Sequence, residues 1–284
     1  MSFYRGKKVF IVGGSKGIGR ALAEHVAREG AQVWVAARGE GALQETVASL
    51  DAIGNGPHGY VSIDVTDFEA VQRGCAEAVE GLGGLDVLVC NSGYAVSAKF
   101  ADADLAQFDQ MMAVNFMGHV HVTKALLPHF MAQGKGDICL VSSMMGFLPL
   151  FGYPAYSASK FAIVGFGESL RQELKQHGVR TTIYFPPTTE TPGLEKENEG
   201  KPPEVWALEA DSGFNKTYQA EQVATSMARC IEKGVVHGMI GADSKFIYTV
   251  NRMLPGITRW MTDDEVKKAV KKAASKPAAE SEAS

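Results

Sequence analysis

Residues 7–30 read KKVFIVGGSKGIGRALAEHVAREG, and this stretch decides the fold. The run Lys8 to Val12 is short, apolar and β-branched, which predicts a strand covered on both faces. Gly13-Gly14-Ser15-Lys16-Gly17-Ile18-Gly19 follows at once. Ile18, Ala21, Leu22 and Val26 then recur at helical spacing until Gly30 closes the segment. A glycine turn between strand and helix lets the backbone approach a pyrophosphate closely, and the helix N-terminus meets the negative charge. Gly13, Ser15, Lys16, Gly17, Ile18 and Gly19 are therefore candidate nucleotide contacts. A plain turn would explain an isolated glycine cluster, but the flanking strand and helix argue against it.

The same rhythm continues outward from this unit. Apolar, β-branched runs recur at Gln32 to Ala36, Gly59 to Ile63, Asp86 to Cys90, Asp137 to Val141, Arg180 to Phe185 and Val235 to Ile240, with amphipathic segments between them. This alternation predicts βαβ units in an α/β fold, a single Rossmann-type doubly wound parallel sheet with helices on both faces. Thr66-Asp67-Phe68-Glu69 has the form of a capping box ahead of a helix running towards Val79. Residues 186–217, rich in Pro, Glu, Gly and Lys, interrupt the rhythm and read as a long functional loop or lid. A chain of 284 residues, 45% hydrophobic, suits one large core, since single cores extend to roughly 250–300 residues.

Composition removes several function classes. A formal charge of −4 gives no basic face for nucleic acid, so no such partner is expected. Cys75, Cys90, Cys139 and Cys230 are widely separated within apolar stretches and read as reduced, mostly buried thiols. The seven histidines form no ligand set, and no metal site is expected. The N-terminus enters an apolar run far shorter than a signal-peptide core, and no stretch has the 18 or so apolar residues of a membrane span. The expected location is cytoplasmic.

Cofactor choice is legible at the end of the second strand. An acid there would bond a ribose 2′-hydroxyl, but the sequence has Ala36-Ala37-Arg38. Arg38, with Lys16 in the glycine turn, suits a 2′-phosphate and points to NADPH rather than NADH. Two solvated surface cations are the bland alternative. Asp64-Val65 at the end of the third strand is placed to line the adenine pocket, although an acid there also serves as a helix cap.

Tyr156-Ser157-Ala158-Ser159-Lys160 puts a phenol and an amine on one helix face. A tyrosine pKa near 10 is a poor match for neutral pH, and an adjacent ammonium lowers it by favouring phenolate. Tyr156 would protonate a carbonyl oxygen as hydride arrives, Ser143 would hydrogen-bond that oxygen, and Asn115 would hold a water connecting Lys160 to solvent. Each residue taken alone is more often structural.

Together these residues resemble the short-chain dehydrogenase/reductase family over about residues 7–241. The glycines, Asn91-Ser92-Gly93, Asn115, Ser143 thirteen residues before Tyr156, and Lys160 all fall in family order. The resemblance makes Asn91, Ser92, Gly93 and Pro186 cofactor contacts, with Tyr156 and Lys160 reaching the nicotinamide ribose side. Val12 stands where the family has threonine, which is expected to loosen the tie between the turn and the Asn91 segment. Pro187 follows Pro186 where glycine is usual, which is expected to stiffen the entrance to the lid.

A narrower resemblance concerns the substrate. Residues 184–193, YFPPTTETPG, with Glu197-Asn198 and Lys201-Pro202, look like the corresponding segment of 3-ketodihydrosphingosine reductases, as do residues 147–152 and 94–97. It implies NADPH-dependent reduction of the 3-keto group of a long-chain keto-lipid, with Thr191 at the nicotinamide carboxamide and Thr188 near the ring. It also implies a homo-oligomer. Another ketone, such as a 3-oxoacyl thioester or a steroid-like substrate, is the alternative within the family. A catalytically silent NADPH-binding regulator would require a broken tetrad.

On this reading residues 1–245 form the NADPH-binding catalytic domain, 246–274 an apolar and basic extension, and 275–284 a disordered tail. Phe246, Ile247, Tyr248, Met253, Leu254, Ile257, Trp260 and Met261 make an apolar stretch too interrupted to span a membrane. If helical, Lys267, Lys268, Lys271 and Lys272 share one side opposite Val266, Val270 and Ala273, as in a helix drawn to anionic lipid. The apolar residues could equally cover the substrate pocket or a neighbouring subunit.

Overall fold

A computed structural model describes residues 2–54, 56–211 and 216–275. The first half alternates strand and helix: β1 (Lys8–Val12), α1 (Gly17–Arg28), β2 (Gln32–Ala37), α2 (Glu40–Ile53), β3 (Gly59–Ser62), α3 (Phe68–Leu82) and β4 (Val87–Cys90). Then come α4 (Leu105–Met111), a π-helical turn (Met112–Met117), α5 (Gly118–Gln133), β5 (Gly136–Val141), α6 (Pro154–Lys175) and β6 (Val179–Tyr184). The remainder is β7 (Thr189–Glu190), α7 (Pro192–Asn198), α8 (Pro203–Asp211), β8 (Tyr218–Gln219), α9 (Ala220–Glu232), β9 (His237–Gly238), α10 (Gly241–Met253) and α11 (Pro255–Ser275). Seven strands form one parallel sheet in the order β3-β2-β1-β4-β5-β6-β9, the doubly wound arrangement expected.

Strand periodicity sorts the core into two layers. Val9 and Ile11 of β1 face one side and pack with Leu22 and Val26 of α1 and Val223 and Met227 of α9. Phe10 and Val12 face the other, with Val71 of α3, Leu126 of α5 and Ile163 of α6. All four β1 residues are buried, so each contributes on the order of 1.5–3 kcal/mol of transfer free energy. The continuous apolar reading of β1 follows from this two-sided cover.

Several expectations need correction. Asp67, not Thr66, caps α3, its Oδ1 accepting from the Ala70 amide at 3.0 Å. Thr66 bonds back to Asp64 instead, and a reciprocal Gln219–Gln222 box opens α9. The last sheet strand is two residues rather than six, because β9 pairs with β6 only at His237 and Gly238. Residues 186–217 are no structureless loop: they carry β7, α7 and α8, and β7 pairs in parallel with β8. The boundary expected after 245 falls inside α10, whose Ser244 and Ile247 are buried. Late in α11 the buried residue is Ala269, and Val270 is exposed beside the lysines rather than opposite them. Ser275 ends α11, and the rest of the expected tail lies outside the described residues.

Candidate active site

Strand order reverses between β1 and β4, and in such sheets the crevice at the carboxyl ends of the two strands receives the ligand. A Cβ on Gly19 would lie 2.1 Å from the Gly13 carbonyl oxygen, so only glycine allows α1 to start this close to the turn. Lys16 takes the N-cap position without using its side chain, leaving the first helix amides without a side-chain acceptor. An anion fits that end. Asn91 donates from Nδ2 to the Gly13 carbonyl at 2.8 Å and from its amide to Val12 at 2.8 Å. The expected loosening at Val12 is therefore not seen, since this tie uses main-chain oxygens and needs no hydroxyl on residue 12.

Arg38, just beyond β2, and Lys16 are both exposed, and among the described residues neither is in a salt bridge. Hydrogen bonds from the Thr66 amide (2.9 Å) and hydroxyl (2.7 Å) hold the Asp64 carboxyl below its usual range, and the Arg38 charge adds to this. Asp64 thus shapes the turn after β3 while sharing the field of Arg38. Val65 is buried; its carbonyl meets His121 Nδ1 at 2.9 Å.

The lid enters the same crevice. Pro186 accepts from the Met144 amide at 3.1 Å, and the Thr188 carbonyl accepts from Tyr218 at 2.9 Å. Thr191 caps α7 through its Oγ1 (3.2 Å to the Leu194 amide), and its Cγ2 would lie 3.0 Å from a Cβ on Gly17. The lid's first helix therefore starts against the glycine turn.

Pro154 opens α6 at a position where its missing amide costs nothing, and the first turn carries Tyr156. Ser143, just beyond β5, accepts from the Met145 amide at 3.2 Å and sits on the Tyr156 side of the site. Burial pushes the phenol up to about 12; Ser143 works against this, and the negative charge of Glu197 adds to it. One helical turn on, Lys160 donates to the Val141 carbonyl at 3.1 Å and lies 5.6 Å from the Tyr156 ring centre. Burial lowers the Lys160 amine to about 7. The expected ammonium-driven lowering of the phenol is therefore absent from the chain by itself, because the amine bonds to β5 and burial dominates both groups.

Asn115 sits in the π-helical turn and is fully buried. Its Oδ1 accepts from the Tyr94 amide at 3.0 Å, and its Nδ2 donates to the Tyr94 carbonyl (2.9 Å) and Ser159 Oγ (3.0 Å). The side chain thus ties the segment after Gly93 to α6, with both of its amide protons used in these contacts. At Gly93 a Cβ would come within 3.2 Å of Lys160 Nζ and 3.3 Å of Asn115 Oδ1. Asn91, Ser92 and Gly93 are in this way brought against the tetrad.

Sequence reading missed a cluster on the lid side. The Tyr153 phenol, buried, lies 2.6 Å from Glu197 Oε1 and 3.0 Å from Glu209 Oε1. Lys201, equally buried, bonds both Glu209 oxygens (3.0 and 2.8 Å). The one sequence signal was Glu197 and Lys201 four residues apart. A cleft of ≈ 580 Å³ lined by Pro149, Phe151, Ser157, Ala158 and Phe161 lies beside the tetrad rather than over it.

The short chain dehydrogenase family profile matches residues 7–202. Over 260 residues the chain is 33% identical to the 3-ketodihydrosphingosine reductase of Bos taurus, covering 90% of this chain and 77% of that protein. It is 35% identical over 242 residues to the 3-dehydrosphinganine reductase of Danio rerio, covering 84% and 72%. Among solved structures, gox2181 superposes with a TM-score of 0.76 at 26% identity, covering 87% of this chain and 96% of that one.

Proposed function

The chain belongs to the short-chain dehydrogenase family, and on that premise we propose that it reduces the 3-keto group of 3-ketodihydrosphingosine to dihydrosphingosine with NADPH. It is an oxidoreductase of the nicotinamide-dependent kind. The observation that carries the reading is the meeting of Tyr156 and Lys160 at the end of β5, with Lys160 Nζ 5.6 Å from the Tyr156 ring and a phenol that is protonated at neutral pH and able to donate to a carbonyl oxygen. Support for the substrate comes from the names of the relatives and from the lid segment between Tyr184 and Pro202.

In this reading a bound NADPH supplies the hydride. Ser143 and Tyr156 converge on the substrate oxygen, and Tyr156 gives it the proton. Lys160, with an amine near 7, exchanges a proton readily and can replace the one the phenol loses. The amides at the start of α1 bind the pyrophosphate, Arg38 and Lys16 hold the 2′-phosphate, Asp64 and Val65 line the adenine side, and Pro186, Thr188 and Thr191 close over the nicotinamide. The catalytic unit, on this reading, extends past residue 245 to take in α10, which packs on Phe147 and Phe185, with residues 186–217 as its substrate lid.

No helix among the described residues is long and apolar enough to cross a membrane. Exposed Phe246, Met253, Leu254, Ile257 and Trp260, followed by the α11 lysines, favour a peripheral contact through which a long-chain substrate is collected. The test of the reaction is direct: NADPH oxidation with 3-ketodihydrosphingosine, with dihydrosphingosine identified by mass spectrometry. Turnover of other ketones but not this one would overturn the assignment.

A further inference from the structure

We infer that Glu197 selects the substrate: its carboxylate, at the edge of the Tyr156 site, receives an ammonium group carried on the carbon beside the reacting ketone. The inference rests on the proposed reaction and adds to it the group that recognises an amino ketone.

On the lid side two carboxylates share Lys201 unequally. Lys201 satisfies Glu209 with two bonds, at 3.0 and 2.8 Å, but stands 3.7 Å from Glu197 Oε1. The Tyr153 phenol has one proton for two carboxylates, and its shorter contact is with Glu197 at 2.6 Å. Both contacts to Glu197 use Oε1; Oε2 takes part in neither. Tyr153 and Lys201, 1% and 6% exposed, hold this arrangement rigidly, and Lys201 is further roofed by the Trp206 ring at 4.9 Å.

Position gives the Glu197 carboxylate its meaning. Tyr153 is the N-cap of α6 and Tyr156 lies in the first turn, their ring centres 6.3 Å apart, and the Tyr153 phenol bonds Glu197. Held by Lys201 only at 3.7 Å, the carboxylate is unfavourable there twice over. Burial raises its own pKa, and its charge raises that of the Tyr156 phenol, making the donor a weaker acid. A cation docking on Glu197 relieves both effects, and charge-assisted hydrogen bonds are the strong ones in a partly buried site. The 3-ketodihydrosphingosine amine, on the carbon next to the ketone, is a cation of the required kind and place. Substrate binding would then sharpen the acid that attacks it, whereas a ketone lacking the amine would leave the site charged.

The test compares 3-ketodihydrosphingosine with its N-acetyl derivative, which keeps chain, ketone and hydroxyl but loses the charge, using the full chain with NADPH. Wild type is expected to prefer the amine by about tenfold or more in kcat/KM. Glu197→Gln should bring that ratio close to one, chiefly by raising KM for the amino ketone, and Glu197→Asp should restore part of it. A folded Glu197→Gln protein with unchanged NADPH affinity and the wild-type ratio overturns the inference. If Glu197→Gln does not fold, wild type decides: equal kcat/KM for the two ketones overturns the role of Glu197 while leaving the reaction standing. Reduction of neither ketone overturns the reaction itself, and the inference with it.

Discussion

Lys160 Nζ donates to the Val141 carbonyl at 3.1 Å while lying 5.6 Å from the centre of the Tyr156 ring. The amine that would assist the phenol is thus held by the end of β5. Burial drives the two pKa values apart, the phenol upward and the amine downward, which leaves the phenol protonated and the amine able to exchange a proton at neutral pH. A proton donor with an adjacent proton reservoir is what carbonyl reduction needs.

Tyr156→Phe removes the proton donor and little volume, so turnover of the ketone should fall by about 10²–10⁴ with NADPH affinity kept. Ser143→Ala should also lower kcat, by losing the hydroxyl proposed to bond the substrate oxygen. Steady-state rates with a fluorescence titration of NADPH check both. A Tyr156→Phe protein running near the wild-type rate would remove Tyr156 from the chemistry.

The buried amine also sets a pH signature in stability. Lys160 has a folded pKa of about 7, below its ordinary value of 10.5, so between the two the unfolded chain binds more protons. Stability from this group therefore rises with pH through that window and is lowest at neutral pH and below. In the cofactor-free protein, Lys160→Met should raise Tm at pH 7, and the difference from wild type should shrink towards pH 9.5. Thermal unfolding across that range decides; a difference that does not change with pH would mean the amine is not buried as described.

Arg38 and Lys16 lie exposed with no salt bridge among the described residues, which leaves both available to the proposed 2′-phosphate. Arg38→Ala should weaken NADPH by on the order of tenfold or more and leave NADH nearly unchanged, since a charge-assisted contact is worth roughly 1.5–3 kcal/mol. Binding titrations with both cofactors provide the measurement. Equal losses would make Arg38 a general surface charge.

The parts of the site that could be read in the sequence are those whose chemistry is local. Gly13 to Gly19 announced the turn because strand, glycines and helix are contiguous, and Tyr156 with Lys160 announced itself through helical spacing. Asn115 was placed on a helix, but its π-helical turn was not foreseeable, since one extra residue per turn leaves no compositional mark. The Tyr153–Glu197–Lys201–Glu209 cluster joins α6 to two lid helices across 44 to 56 positions, and no periodicity reports such a contact. Polar composition made 186–217 look like a loop, whereas the ion pair of Lys201 with Glu209 and the packing of α8 on α11 supply the order that the segment lacks by itself. The boundary expected after 245 divides α10, which a separate contact anchors, Ile247 and Tyr248 on Phe147 and Phe185.

The last prediction concerns the far side of that anchored segment. Ile247 and Tyr248 turn inward, but Phe246, Met253, Leu254 and Trp260 turn outward, with Phe246, Met253 and Trp260 each about two-thirds or more exposed. Such a patch on one chain is covered by a second copy or by lipid, and the neighbouring charges separate the two. Lys267, Lys268, Lys271 and Lys272 are exposed along α11; Lys268 is bridged to Asp264 at 2.6 Å, and acids are confined to the middle of the helix. A basic end beyond an apolar patch suits an anionic bilayer, where each lysine near the surface contributes about 1 kcal/mol, screened over a Debye length. The chain should therefore sediment with vesicles containing phosphatidylserine at low salt, release as salt is added, and bind poorly to neutral vesicles. Lys-to-Glu changes at 267, 268, 271 and 272 should abolish the capture, and Trp260→Ser should weaken it at every salt concentration. Absence of sedimentation at low salt, with a dimer by light scattering that Trp260→Ser dissociates, would assign the patch to a subunit contact instead.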